Sequence, residues 1–144
     1  MEPFKRISKL ENEELLKFPA YISLLAANSN DSLDETERIS AIRFVHTKTF
    51  SCEPLLTKFY HAANKVFEYN IEHLDEYLPK GKEYRDEAIR IELLKLEKIV
   101  SKLGKVYVDA MHRSMKSFKE HVSKAHNNVL VDFIFPITIP GLSE

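Results

Sequence analysis

The chain has 144 residues, 44% of them hydrophobic and 30% charged, which fits one folded domain and argues against an intrinsically disordered chain. A formal net charge of -1 supplies no basic face for nucleic acid. The single cysteine, Cys52, excludes an internal disulfide, and no run approaches the ~18 apolar residues of a membrane span.

The first residues, MEPFKRISKLENEELLKF, lack the long apolar segment of a signal peptide, so the expected location is the cytoplasm. Ser8-Lys-Leu-Glu11 has the spacing of a capping box. The helix that follows carries Leu15, Leu16, Tyr21, Ile22, Leu24 and Leu25. Pro19 inside it predicts a kink or restart near Phe18, because proline removes an amide donor and crowds the preceding turn. Asn28–Asn30 stop the pattern. A second helix opens at Asp34, with Glu37 as the third-position partner of a capping box, and buries Ile39, Ile42 and Val45.

Pro54 suits the first turn of a third helix, which buries Leu56, Phe59, Tyr60, Ala63, Val66 and Phe67. Asn70 is expected to separate it from a short helix over 71–78, and Pro79-Lys-Gly81 makes a turn. The longest helix is predicted from about Lys82 to Leu103. Its stripe is Ile89, Leu93, Leu96, Val100 and Leu103, with Asp86 and Arg90 as an exposed pair. Gly104 stops it. A last long helix, Val106 to Ala125, buries Tyr107, Met111, Met115, Phe118 and Val122 and ends at Asn127-Asn128.

The tail, VLVDFIFPITIPGLSE, is apolar, β-branched and broken by Pro136 and Pro140. A short helix over 129–135 followed by an extended strap is the first reading, and a strand pairing with another chain is the second. Either way residues 128–144 are expected to pack on the bundle or on a partner, through protein contact or self-association. The fold class is therefore all-α: a single bundle of six or seven helices with an apolar C-terminal strap.

One stretch gathers oxygen ligands. Asn30, Asp31, Asp34 and Glu37 sit around a helix-to-helix turn, and such a turn suits a hard cation. The EF-hand pattern fails, since counting twelve from Asn28 or Asn30 ends on Ile39 or Ala41 and no glycine stands at position six. Capping by Asp34 and Glu37 accounts for two of the four residues. Elsewhere, Asp109 and His112 share a helical face, but no second acid-x-x-His occurs to complete a di-metal site. His121 and His126 are five apart, Ser114 has no triad around it, and Cys52 has no recognisable base. Gly81-Lys82 and Gly104-Lys105 lack a phosphate-loop context. Phe59, Tyr60, Phe67, Tyr69, Tyr77 and Tyr84 fall at core spacing. No catalytic residue is assigned.

The segment Leu24-Leu-Ala-Ala-Asn-Ser-Asn-Asp-Ser-Leu-Asp-Glu-Thr-Glu37 resembles the signature of the TerB-like tellurite-resistance family. Asn30 falls at that signature's aspartate, Asp31 at its glycine, Leu33 at its aliphatic position, Asp34 at its small or acidic position and Glu37 at its glutamate. The first two are departures. In the second half, Lys102-Leu-Gly-Lys-Val106 lies where a repeat would recur. Gly104 and Val106 fit there, while Leu103 and Ala110 replace the acidic residues. The resemblance implies two pseudo-repeated helical halves. It also implies a non-enzymatic domain in stress or metal-resistance systems that binds a divalent cation such as calcium through acidic residues.

Overall fold

The computed structural model describes residues 3–26 and 34–125. Among these residues the chain is all-helical. A 3₁₀ turn (Pro3–Arg6) leads into α1 (Lys9–Leu15), α2 (Phe18–Ala26), α3 (Glu35–Ser51), a 3₁₀ turn at Pro54–Leu56, α4 (Thr57–Tyr77), α5 (Lys82–Val100), a 3₁₀ turn at Ser101–Leu103 and α6 (Lys105–Ala125). No helix among them is long and apolar enough to cross a membrane. The tail from Asn128, Asn30 and Asp31, and the Asn28–Asn30 stop lie outside the described residues, as do His126 and Asn127.

Local chemistry sets most of the helix ends. At α1, the Glu11 amide donates to Ser8 Oγ and the Ser8 amide to Glu11 Oε1, both at 3.0 Å, which satisfies two orphan donors reciprocally. Lys102 reaches the same Glu11 carboxylate, and its hydrogen bond holds that carboxyl below its ordinary value, with the Ser8 amide adding to the effect. The α1–α2 break falls where Pro19 predicts it. Proline sits at the second position of α2, where its missing amide costs nothing. Gly81 and Gly104 take φ of +88° and +94°, conformations that glycine adopts freely. A Cβ on Gly104 would also meet Arg6 Nη1 at 2.5 Å. That guanidinium donates to the Leu103 carbonyl at 3.4 Å, tying the N-terminal turn to the α5–α6 corner.

The core is arranged around α2. It packs against α4, α5 and α6, while α3 lies on α4 and α1 on α5. Every residue from Phe18 to Leu25 is buried, as expected of a helix that is apolar all round. The Ser23 hydroxyl donates to the Pro19 carbonyl at 2.9 Å. Around it close Leu15, Tyr60, Phe67, Ile71, Ile89, Leu93, Leu96, Val100, Met111, Met115 and Phe118, all at most 2% exposed. The predicted stripes of α5 and α6 are therefore core, apart from the half-buried Tyr107. The Val122 side chain lies outside the description.

Four expectations are corrected. Asn70 does not break a helix: α4 runs on through it, and it is buried between Phe67 and Ile71. An apolar stripe that continues at Ile71 and Leu74 outweighs one weak helix former. On α3 Val45 is buried and Ile42 packs half-buried against the core as predicted, but Ile39 is 40% exposed, and Glu37, Ala41 and Thr49 complete the buried face with Val45. The helices α4 and α6, of 21 residues each, exceed the 19 of α5, whose last turn tightens to 3₁₀. Asp86 pairs with Lys82 (3.2 Å) and Arg90 with Glu87 (2.8 Å), not with each other, since each helical side chain has neighbours three and four residues to both sides.

Candidate binding cleft

Both α4 and α5 rest on α2, yet they barely touch one another. Four residues, Leu78 to Gly81, join them, and Arg85 locks this junction from beneath. Its guanidinium is 3% exposed and donates to Asp75 Oδ1 (2.9 Å), to the Asp75 carbonyl (2.5 Å) and to the Pro79 carbonyl (3.3 Å). With the ends pinned and the helices splayed, a cleft of about 650 Å³ remains between them.

Tyr21, Leu74, Leu78, Pro79 and Ala88 line the cleft, and Glu14, Lys17, His73, Tyr77, Ile91 and Glu92 complete it. The Lys17 ammonium donates to Glu14 at 2.8 Å and Lys95 donates to Glu92 at 3.1 Å. Burial, and then the charges of Glu92 and Glu14, raise the Tyr21 phenol well above its ordinary value, so it stays neutral.

The outer face of α4 leads into this cleft. Tyr69, His73 and Tyr77 recur every four residues and stack as a ladder, with ring centroids 5.6 and 6.3 Å apart and planes within 8°. Tyr69 and Tyr77 are 69% and 77% exposed, and Tyr84 is 73% exposed. These three tyrosines correct the expectation of a core role. At four-residue spacing a set of aromatics shares one face, but the face of α4 that meets α2 and α3 is the one bearing Phe59, Ala63, Phe67 and Leu74. One residue before each ring stands a glutamate: Glu68, Glu72 and Glu76, all exposed. The signal was visible as EYNIEHLDEY, a Glu-aromatic pair repeated every four residues.

The sequence-predicted sites fare differently. Of the four candidate ion ligands, Asp34 and Glu37 are described and form a capping box. The Glu37 amide donates to Asp34 Oδ1 at 2.8 Å and the Asp34 amide to Glu37 Oε1 at 3.1 Å, which is the predicted capping role. Glu37 is buried and Asp34 exposed. No group of three or more metal-capable side chains occurs among the described residues. Asp109 and His112 do not act together: Lys105 pairs with Asp109 at 3.2 Å, while the buried His112 pairs through Nε2 with Glu97 on α5. Ser114 is buried at 2.5 Å from the Tyr60 hydroxyl, a structural contact in the core. Cys52 caps the C-terminus of α3 with its thiol 4.0 Å from Thr57 Oγ1. A shallower groove of about 450 Å³ runs beside α3, where Phe44 stacks on His121 at 3.7 Å.

No family model matches the chain, and no curated protein or solved structure matches it.

Proposed function

We propose that this chain is a non-enzymatic helical interaction module whose partner surface is the α4–α5 cleft and the aromatic ladder beside it. The observation that carries this reading is the exposure of Tyr69 and Tyr77 on a helix whose opposite face is fully packed. Rings left in water beside an open, partly apolar cleft mark a contact surface, and tyrosine is enriched at such surfaces. The acids at the rim are each held by a lysine one turn away, an arrangement that orients a partner and activates no nucleophile. In the same reading the tail from Val129 to Leu142 is a second contact, on the bundle or on a partner.

Panning a random peptide library against the protein tests this. Sequences that bind the wild type and lose about tenfold or more on Tyr77→Ala with Ile91→Ser are expected, as hot-spot truncation at an interface removes ~1–2 kcal/mol. Both positions are exposed, so the fold should survive. Recovery of no cleft-dependent sequence would sink the reading.

The TerB-like resemblance of residues 24–37 supports a second reading: a stress-response scaffold of six or seven helices in two pseudo-repeated halves, with a divalent cation such as calcium held by Asn30, Asp31, Asp34 and Glu37. Asp34 favours it in one respect, being exposed with only Oδ1 used by the cap. Calcium a hundredfold above its Kd would stabilise by ~2.7 kcal/mol, and millimolar calcium should then raise Tm. In Asp34→Ala that rise should vanish, with a further loss of ~1 kcal/mol from the missing cap. An unchanged melting curve with and without calcium would remove this reading.

A further inference from the structure

The repeat of residues 68–77 places two parallel rows on the outer face of α4. Glu68, Glu72 and Glu76 form one, and Tyr69, His73 and Tyr77 form the other, ~100° further round the helix. Successive carboxylates are ~6 Å apart along the axis. From Val66 to Pro79 the sequence contains four carboxylates and no lysine or arginine. Asp75 is turned inward to Arg85, which leaves the three glutamates outward. Arg38 of α3 already illustrates what this spacing accepts: its Nη1 lies 3.4 Å from Glu72 and 3.9 Å from Glu68, bracketed by both. Glu35 also holds that guanidinium at 2.9 Å. Towards the cleft the pattern continues past Arg38, and Glu76 makes no ion pair among the described residues.

Resting on the interaction reading above, we infer that the partner presents a basic peptide segment, with lysine or arginine at helical spacing and an apolar residue between them. The cations lie along the groove between the rows, with the glutamates on one side and the ring row of Tyr69, His73 and Tyr77 on the other. A cation over a tyrosine ring is attracted by the ring quadrupole as well as by the neighbouring charge. The apolar residue enters the cleft over Leu74, Leu78 and Ala88. Other charges near the surface are compatible with this. Lys17 is engaged by Glu14, Arg38 by its three glutamates and Lys95 by Glu92 on the α5 side. Nucleic acid and anionic lipid carry the sign that these rows repel.

Fluorescence anisotropy with labelled synthetic peptides tests the inference on the full chain. The probes are a helical peptide alternating lysine and leucine positions to match i,i+4 spacing, its twin with glutamate for lysine, and a neutral twin with glutamine. The basic peptide is expected to bind, to weaken several-fold between low and physiological salt as exposed charge pairs are screened, and to weaken about tenfold on Glu72→Gln with Glu76→Gln. Glu76→Gln alone should weaken it in part without altering the melting curve, which separates the effect from any loss of fold. Equal binding of the basic and acidic peptides, or wild-type affinity in the glutamine variants, overturns the inference. Cleft-dependent peptides from the library that show no excess of lysine and arginine also overturn it, while leaving the interaction reading in place.

Discussion

Phe118→Ala is expected to destabilise the protein by ~3–5 kcal/mol, the range for removing a fully buried aromatic from a core. Phe118 has no exposed surface and is the ring at which three helices meet. From α6 it packs edge-on against Phe18 of α2 with centroids 5.9 Å apart, and against Phe44 of α3 at 4.8 Å. Edge-to-face pairs add ~0.5–1.5 kcal/mol beyond the area they bury. The truncation therefore loses transfer energy and two ring contacts, and leaves a void that three helices would have to move to close. At roughly 3 °C per kcal/mol for a chain of this size, Tm should fall by ~10–15 °C. Two controls sharpen the result. Phe118→Leu keeps most of the volume and should cost ~1–2 kcal/mol. Phe50→Ala, at a ring 78% exposed, should stay within ~0.5 kcal/mol of wild type. Urea denaturation measures all three, and a Phe118→Ala cost no larger than that of Phe50→Ala would contradict the packing described.

Arg85→Met should cost ~2–4 kcal/mol, through a different cause. The methionine fills similar space, so what is lost is charge and hydrogen bonding. Asp75, with its side chain 22% exposed, keeps a mostly buried carboxylate with its main partner gone, and breaking such a pair from one side is expensive. The carbonyls of Asp75 and Pro79 lose a donor as well. Arg85→Lys should recover only part of this, because one ammonium cannot reproduce a planar fork reaching three acceptors. The same guanidinium pins the α4–α5 junction that closes one end of the cleft, so peptide binding should weaken with stability in Arg85→Met. By contrast, Tyr77→Ala should affect binding with little change in Tm. Melting curves and anisotropy on the same samples separate the two, and a native-like melting curve for Arg85→Met would count against the structural role assigned to Arg85.

How far each feature was legible depends on whether its cause is local. The capping boxes at Ser8–Glu11 and Asp34–Glu37, the restart before Pro19, the turn at Pro79–Gly81 and the stop at Gly104 are decided within four residues, and the structure has them where the sequence puts them. The stripes of α5 and α6 were equally readable, because their apolar residues keep one helical phase. On α3 the phase misled at one position: Val45 and Ile42 pack on the core, yet Ile39 is exposed and the buried face is completed by Glu37, Ala41 and Thr49. Asn70 misled by propensity, and Asp86 and His112 by proximity in sequence, since Glu97, the partner of His112, is fifteen residues away on another helix.

The candidate surface shows the same division. The EYNIEHLDEY repeat was in plain view, and its spacing alone places the rings on one face and the glutamates beside them. Spacing cannot say whether that face meets α2 or water, because a helix has no inside until other helices choose one. The sequence by itself determined the all-helical character of the described residues, the positions of their capped ends and the four-residue rhythm of α4. Only the tertiary structure decided that α2 is the buried centre, that α4 and α5 splay apart over it, and that Tyr69, His73 and Tyr77 are left outside. The reason is physical: caps and turns are settled by bonds a few residues long, whereas burial is settled by which surfaces the whole chain can bring together.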